Sequence, residues 1–258
     1  PDRFDVTIQN TEFMSNIFRR LVAVCLKHNA VPIGGMATAL PSKDQEVNDE
    51  AAKSIKSDKE WEAKQGFVRA WVAHIYHMDS AAEPFKKLSG SDWKPSEEMK
   101  IPENYPVKID NPSGKLTREG TRQNVRTLIE YLEGWLNGRG AKGIDRLSGK
   151  PGKRPALMED LATARISTAQ IAQRIIHKSI AEDTEEAHSF ELVKEIITGE
   201  TKDIIASIGN NNEIVNRYEK SAKIALRWIK NYTDYDFRSL GTYTRNDLEQ
   251  ISSEEDAF

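Results

Sequence analysis

Val31-Pro32-Ile33-Gly34-Gly35-Met36-Ala37 decides how this chain folds, because a short apolar run closed by paired glycines lies between two stretches of helical periodicity. The spacing predicts a buried strand over Val31 to Gly35. Upstream, Thr11 opens a helix carrying Phe13, Ile17, Leu21 and Val24, and Asp5 to Ile8 alternates as a short strand does. Downstream, Glu46 to Lys64 reads as a charged helix ended by Gln65-Gly66, and Phe67 to Ile75 is again rich in strand formers. The order β-α-β-α-β implies a parallel sheet, in which function gathers at the carboxyl ends of the strands. Those ends are Gly34-Gly35-Met36 and Ala73-His74-Ile75.

From about Ser89 to Thr117 the periodicity disappears and Pro, Ser, Asp, Asn and Lys dominate, as in a connecting loop. Beyond it the pattern is helical: Arg118 to Leu136, with Val125, Leu128, Ile129, Leu132, Trp135 and Leu136 on one face; Leu161 to Lys178; Ser189 to Ile208, with a break expected near Gly199; and Glu213 to Ile229, with Val215, Tyr218, Ala222, Ala225 and Trp228 inward. The second half therefore reads as all-helical. Asp234 to Phe258 is polar, a loop with room for one short helix. Three regions result: 1–88, 89–117 and 118–258.

The 258 residues suffice to bury a core. With 30% charged residues and a formal net charge of −3, the chain lacks the electrostatic footprint of a nucleic-acid or membrane-surface binder. Cys25 has no cysteine to pair with, and it falls among Leu21, Val22, Val24 and Leu26 as a buried small hydrophobe would. The polar start Pro1-Asp2-Arg3-Phe4-Asp5 is unlike a signal peptide, which leads to a cytoplasmic expectation. The acidic end Glu254-Glu255-Asp256-Ala257-Phe258 is unlike a peroxisomal address.

Candidate chemistry centres on Ala156-Leu157-Met158-Glu159-Asp160-Leu161-Ala162-Thr163, where two adjacent carboxylates reach the start of a helix after a basic, glycine-rich loop. Asp160 falls at or beside the N-cap, where the helix dipole favours negative charge. A carboxylate held there beside the Met158 thioether is suited to general-base work; by spacing alone the plain capping role is the commoner reading, since Asp is among the most frequent N-cap residues. Gly34-Gly35 would let a ligand approach the backbone, or simply make a tight turn out of the strand. Gly138-Arg139-Gly140-Ala141-Lys142-Gly143 matches the dinucleotide pattern in letters only, since it follows a helix; it reads as a C-cap. The loop after it, with Lys142, Arg146, Lys150, Lys153 and Arg154, could meet a phosphate or lie in solvent. His74 and His77 near Asp79 have poor spacing for a shared metal on a strand.

With these segments placed, the chain resembles malate synthase, closest to the compact A-type enzymes. The matching pieces, in family order, are Pro1-Asp2-Arg3 with Val6-Thr7-Ile8, Pro32-Ile33-Gly34-Gly35-Met36-Ala37, Leu40-Pro41-Ser42-Lys43-Asp44, Asp58-Lys59, Trp71-Val72-Ala73-His74, Asn124-Val125-Arg126, Tyr131 to Leu136, Gly138-Arg139-Gly140 and Leu157 to Thr163. The resemblance implies an α/β fold: the last strands and helices of a TIM (β/α)8 barrel, followed by an all-helical C-terminal domain that closes over the barrel mouth. It implies condensation of acetyl-CoA with glyoxylate, then thioester hydrolysis to malate and CoA, the glyoxylate-cycle step. Asp160 would be the base that takes the acetyl methyl proton, with Met158, Gly35, Met36 and Pro41 lining the coenzyme side of the mouth. The family's substrate-polarising arginine and both Mg2+-binding acidic residues belong to earlier strands, which would precede Pro1. The family reads His-Pro-Gly-Leu where this chain has His74-Ile75-Tyr76-His77, so Ile75 stands where a coenzyme-contacting proline is expected. The expectation is thus a malate synthase given as a partial chain, a first residue other than Met being in keeping with that. The competing expectation is a truncated, non-catalytic homologue that binds CoA or a partner.

Overall fold

The computed structural model describes residues 1–145, 154–209, 211–238 and 242–253, a mixed helical and sheet structure. It divides into two compact units: Val6–Ser113 with Gly149–Met158, and Pro1–Asp5 with Gly114–Ser148 and Glu159–Phe258. Among the described residues no helix is long and apolar enough to cross a membrane.

The first of these units alternates strand and helix. Helix α1 (Glu12–Lys27) begins after Thr11, whose side chain makes no cap; the Asp110 carboxylate instead accepts from the Glu12 and Phe13 N–H groups at 3.0 and 3.2 Å. Strand β1 (Ile33–Ala37) is followed by α2 (Gln45–Gln65), capped by Asp44 and ended by Gly66 at φ 104°, a left-handed position suited to glycine. Strand β2 (Arg69–Val72) runs parallel to β1, and α3 (Met78–Ser89) follows a 3-10 turn at Ile75–His77. The predicted helix after Thr11 and the β-α-β order from β1 to β2 are present and α3 adds an unpredicted helix, but Asp5 to Ile8 is not a strand: a 3-10 turn occupies Arg3–Asp5. Residues 91–117 carry only short 3-10 turns.

The buried face of α1 is rotated from the predicted one. Ser15, Asn16, Val22 and Ala23 face inward, Leu21 and Val24 are exposed, and Cys25 is half-buried. Phe67, Val22, Ala63 and Phe85 form one cluster; Ala39, Ala51, Ile55 and Ala81 form another.

The other unit is built around α4 (Arg118–Leu136), with α5 (Leu161–Ile176), α6 (Phe190–Ile208), α7 (Asn212–Thr233) and α8 (Arg245–Ser253). Val125, Leu128, Ile129 and Leu132 of α4 are fully buried with Ile171, Ile197, Ile224 and Trp228. α6 runs unbroken through Gly199. On α5, Ile166 is exposed, while Ala164, Ser167, Thr168 and Ile171 face inward. The other face of α4 is also buried, and it carries ion pairs in place of hydrocarbon. Glu200 takes Arg122 and Arg126, and Lys142 reaches both Glu130 and Glu133 at 2.6 Å; Arg217 completes Glu133 at 2.9 Å. Lys142 lies on β3 (Ala141–Ile144), which forms a two-stranded sheet with β4 (Leu157–Asp160), so this half is not purely helical. The division between the units falls inside β4, between Met158 and Glu159.

Candidate functional site

The parallel pairing of β1 and β2 is irregular between Ile33 and Met36, at Gly34-Gly35. The cause lies on α2. Glu62 Oε1 accepts from Gly35 N–H at 3.2 Å, and Lys59 Nζ donates to Gly35 C=O at 2.7 Å and to Glu62 at 2.8 Å. Side chains of α2 thus saturate the Gly35 backbone. A Cβ on Gly34 would stand 2.1 Å from Glu62 Oε2, so glycine is needed there for an internal carboxylate to approach. Both side chains are buried, and burial raises the Glu62 carboxyl above its ordinary value, opposed by Lys59. Lys59 of the Asp58-Lys59 pair thus has its physical role here.

Beyond β1 the segment Thr38 to Leu40 is crossed by residues 156–158. Ala39 bridges Leu157 antiparallel, Met158 N–H donates to Thr38 C=O at 2.8 Å, and Leu40 N–H donates to Ala156 C=O at 2.9 Å. Met158 is therefore held at the carboxyl end of β1, the strand that carries Gly35 and Met36. Met36 and Pro41 are exposed and Gly35 and Met158 half-buried. The loop through Pro41 is folded back by Asn48, which exchanges two hydrogen bonds with the Ser42 backbone. Beyond β2, His74 caps the 3-10 turn through Nδ1, Ile75 is 74% exposed, and His77 is buried with Nε2 unpartnered among the described residues. Burial first, then the nearby His74, keeps the His77 imidazole below its ordinary value, against the Leu40 carbonyl.

In the other unit the two adjacent carboxylates part company. Asp160 is exposed and is the N-cap of α5: its Oδ1 accepts from Thr163 N–H at 3.1 Å, and its own N–H donates to Thr163 Oγ1 at 2.9 Å. Glu159 is only 2% exposed and takes Arg3 Nη2 at 3.2 Å. Alternation along β4 turns one outward and the other inward. Near Asp160, burial raises the Tyr131 phenol above its ordinary value, and the Asp160 charge adds to this. The helical period and the Asp-to-Thr spacing located Asp160. Arg3, Tyr131 and Ser167 carry no local signal of their place beside it.

Gly138, at φ 79°, follows the C-cap of α4, as the C-cap reading requires. In the basic loop, Lys142 is spoken for by Glu130 and Glu133, whereas Arg146, Lys150 and Lys153 lie outside the described residues. Among the described residues no three His, Cys, Asp or Glu side chains converge as a metal site would need.

Comparison with known proteins divides the chain between residues 109 and 115. Residues 1–109 match the malate synthase TIM barrel domain, and residues 115–245 match the malate synthase C-terminal domain. Malate synthase A of Escherichia coli (strain K12) is 31% identical over 247 residues, 94% of this chain and 44% of the relative. Malate synthase of Streptomyces clavuligerus is 31% identical over 95% of this chain and 44% of its own length. That of Myxococcus xanthus (strain DK1622) is 35% identical over 71% and 32%. The chain spans less than half the length of these relatives.

Proposed function

The chain belongs to the malate synthase family, and from that premise we propose that its gene product condenses acetyl-CoA with glyoxylate to give malate and CoA. One observation carries the reading: the exposed Asp160 carboxylate stands at the amino end of α5, inside the Leu157 to Thr163 stretch that resembles the family. In the proposed reaction Asp160 accepts a proton from the acetyl methyl group. The resulting enolate carbon attacks the aldehyde carbon of glyoxylate, the new alkoxide is protonated, and water cleaves the thioester to release malate and the CoA thiol. The capping bond engages Oδ1 and sets the orientation of the carboxylate against the helix axis. Capping and base roles are therefore compatible in one residue.

In this reading β1, α2, β2 and α3 are consecutive β/α units of a TIM barrel, and Gly35, Met36, Pro41 and Met158 line the coenzyme side of its mouth. What supports the lining is that Met158 is hydrogen-bonded beside the carboxyl end of β1, where parallel α/β sheets bind ligands. The Mg2+ that the family implies finds no converging ligand set among the described residues, so no step here runs through it. A cytoplasmic setting belongs to the same reading.

The test is release of free thiol from acetyl-CoA in the presence of glyoxylate and Mg2+, with malate identified as product, on residues 1–258 and on the full gene product. Malate formed by the full gene product and abolished by Asp160→Asn supports the proposal. A well-folded full gene product that binds CoA and forms no malate would replace it with the non-catalytic reading.

A further inference from the structure

We propose that Arg3 is a positioning residue for Asp160, clamping Glu159 of β4 to Ser167 of α5 so that the junction between them holds the Asp160 carboxylate in one orientation; this rests on the functional reading above. The guanidinium spans the junction with directed bonds from Nη2 to Glu159 Oε2 at 3.2 Å and from Nη1 to Ser167 Oγ at 3.3 Å. Glu159 immediately precedes Asp160, and Ser167, fully buried, lies about two turns into the helix that Asp160 caps. A planar, two-pronged donor therefore spans the junction from its buried side, the side opposite the exposed carboxylate.

The clamp is itself anchored. Asp2 Oδ1 accepts from Arg174 Nη2 at 2.8 Å and from Thr117 N–H at 3.1 Å, and Asp2 Oδ2 accepts from Thr117 Oγ1 at 2.5 Å. The Pro1 carbonyl takes Gln170 Nε2 at 2.9 Å. A Cβ on Gly120 would stand 2.0 Å from Asp2 Oδ1, so α4 carries glycine where the Asp2 carboxylate lies against it. Pro1-Asp2-Arg3 is thus docked residue by residue against α4 and α5, and Arg3 has a fixed base from which to hold β4.

The test uses Arg3→Lys, which keeps the charge but offers a single ammonium in place of the fork, with Ser167→Ala removing one prong as a second variant. In the full gene product Arg3→Lys should lower kcat about 10–100-fold with the KM for acetyl-CoA within about twofold of the unaltered protein. Exchange of the Thr163 amide, which is bonded to Asp160 Oδ1, should accelerate in parallel. Ser167→Ala should move both readouts the same way by less. An unchanged kcat in Arg3→Lys, or a lowered kcat with Thr163 still fully protected, overturns the proposal. Thr163 exchange needs no substrate: if the unaltered protein forms no malate, the functional reading fails, and exchange alone decides whether the clamp exists.

Discussion

Replacing Gly34 by Ala tests the packing of β1 against α2 most directly. The added Cβ would stand 2.1 Å from Glu62 Oε2 and 2.7 Å from its Cδ, distances no packed pair tolerates. Glu62 cannot swing into water easily, because its side chain is 4% exposed and Lys59, 3% exposed, shares it with the Gly35 backbone. Displacing it breaks a buried ion pair, which costs about 3–5 kcal/mol. At roughly 2–4 °C per kcal/mol for a chain of this size, the midpoint of thermal unfolding should fall by about 6–20 °C. Gly35→Ala is the control: its Cβ meets Glu62 Oε1 at 3.4 Å, an ordinary contact, so the expected loss is about 0.5 kcal/mol or less. Combining Gly34→Ala with Glu62→Ala and Lys59→Met removes both the clash and the stranded charge, and should recover at least half of the loss. Urea unfolding of the four proteins gives the free energies. A Gly34→Ala loss within about 1 kcal/mol of the Gly35→Ala loss, or no recovery in the triple variant, would refute the argument.

Asp160→Asn separates base from cap: Asn caps about as well as Asp, so stability should stay within about 0.5 kcal/mol while malate turnover falls about 10²–10⁴-fold; equal stability with undiminished turnover would leave the residue a cap alone. Lys142→Met leaves Glu133 to Arg217 and Glu130 to Arg126 and Tyr218, and should cost about 1–3 kcal/mol in urea unfolding, more than Lys56→Met, which loses the surface pair with Glu83. Burial, then the Arg174 charge, hold the His188 imidazole below its ordinary 6.5. Its Nδ1 donates to Ser179 C=O and its Nε2 faces the Thr121 hydroxyl. A depressed folded value means that the unfolded ring binds the proton first. The stability from His188 is therefore present above 6.5 and lost as pH falls through it. The melting temperature should accordingly drop more steeply between about pH 7.5 and 5.5 in the native chain than in His188→Gln; equal slopes would remove His188 from the account.

Helix periodicity was the most readable feature of the chain. α2, α4 and α7 lie within a few residues of their predicted ranges, because their apolar spacing and their caps, such as Asp44 and Gly66 on α2, act within four residues of the positions they set. Asp160 was located at its helix start for the same reason, and the ordered motifs were enough to point to the family. Strands and faces were read less well. Asp5 to Ile8 alternates but pairs with no strand among the described residues, and Ala141 to Ile144 pairs without a pattern that announces it. On α1 and α5 apolar residues cover more than one face, so periodicity alone could not say that Leu21, Val24 and Ile166 stay exposed.

By itself the sequence determined the long helices and their order, with α3 missed, the helix start that presents Asp160, and the family to which these motifs belong. Only the tertiary structure decided which of two adjacent carboxylates is buried and why two glycines stand together in β1. The reason is distance along the chain. The partner that allows Glu159 to be buried, Arg3, is 156 positions away, and the carboxylate that demands Gly34 arrives from α2, 27 positions beyond the neighbouring Gly35. Charges and backbone groups that meet only after folding leave no periodic trace, so their pairing becomes visible only once the chain has closed on itself.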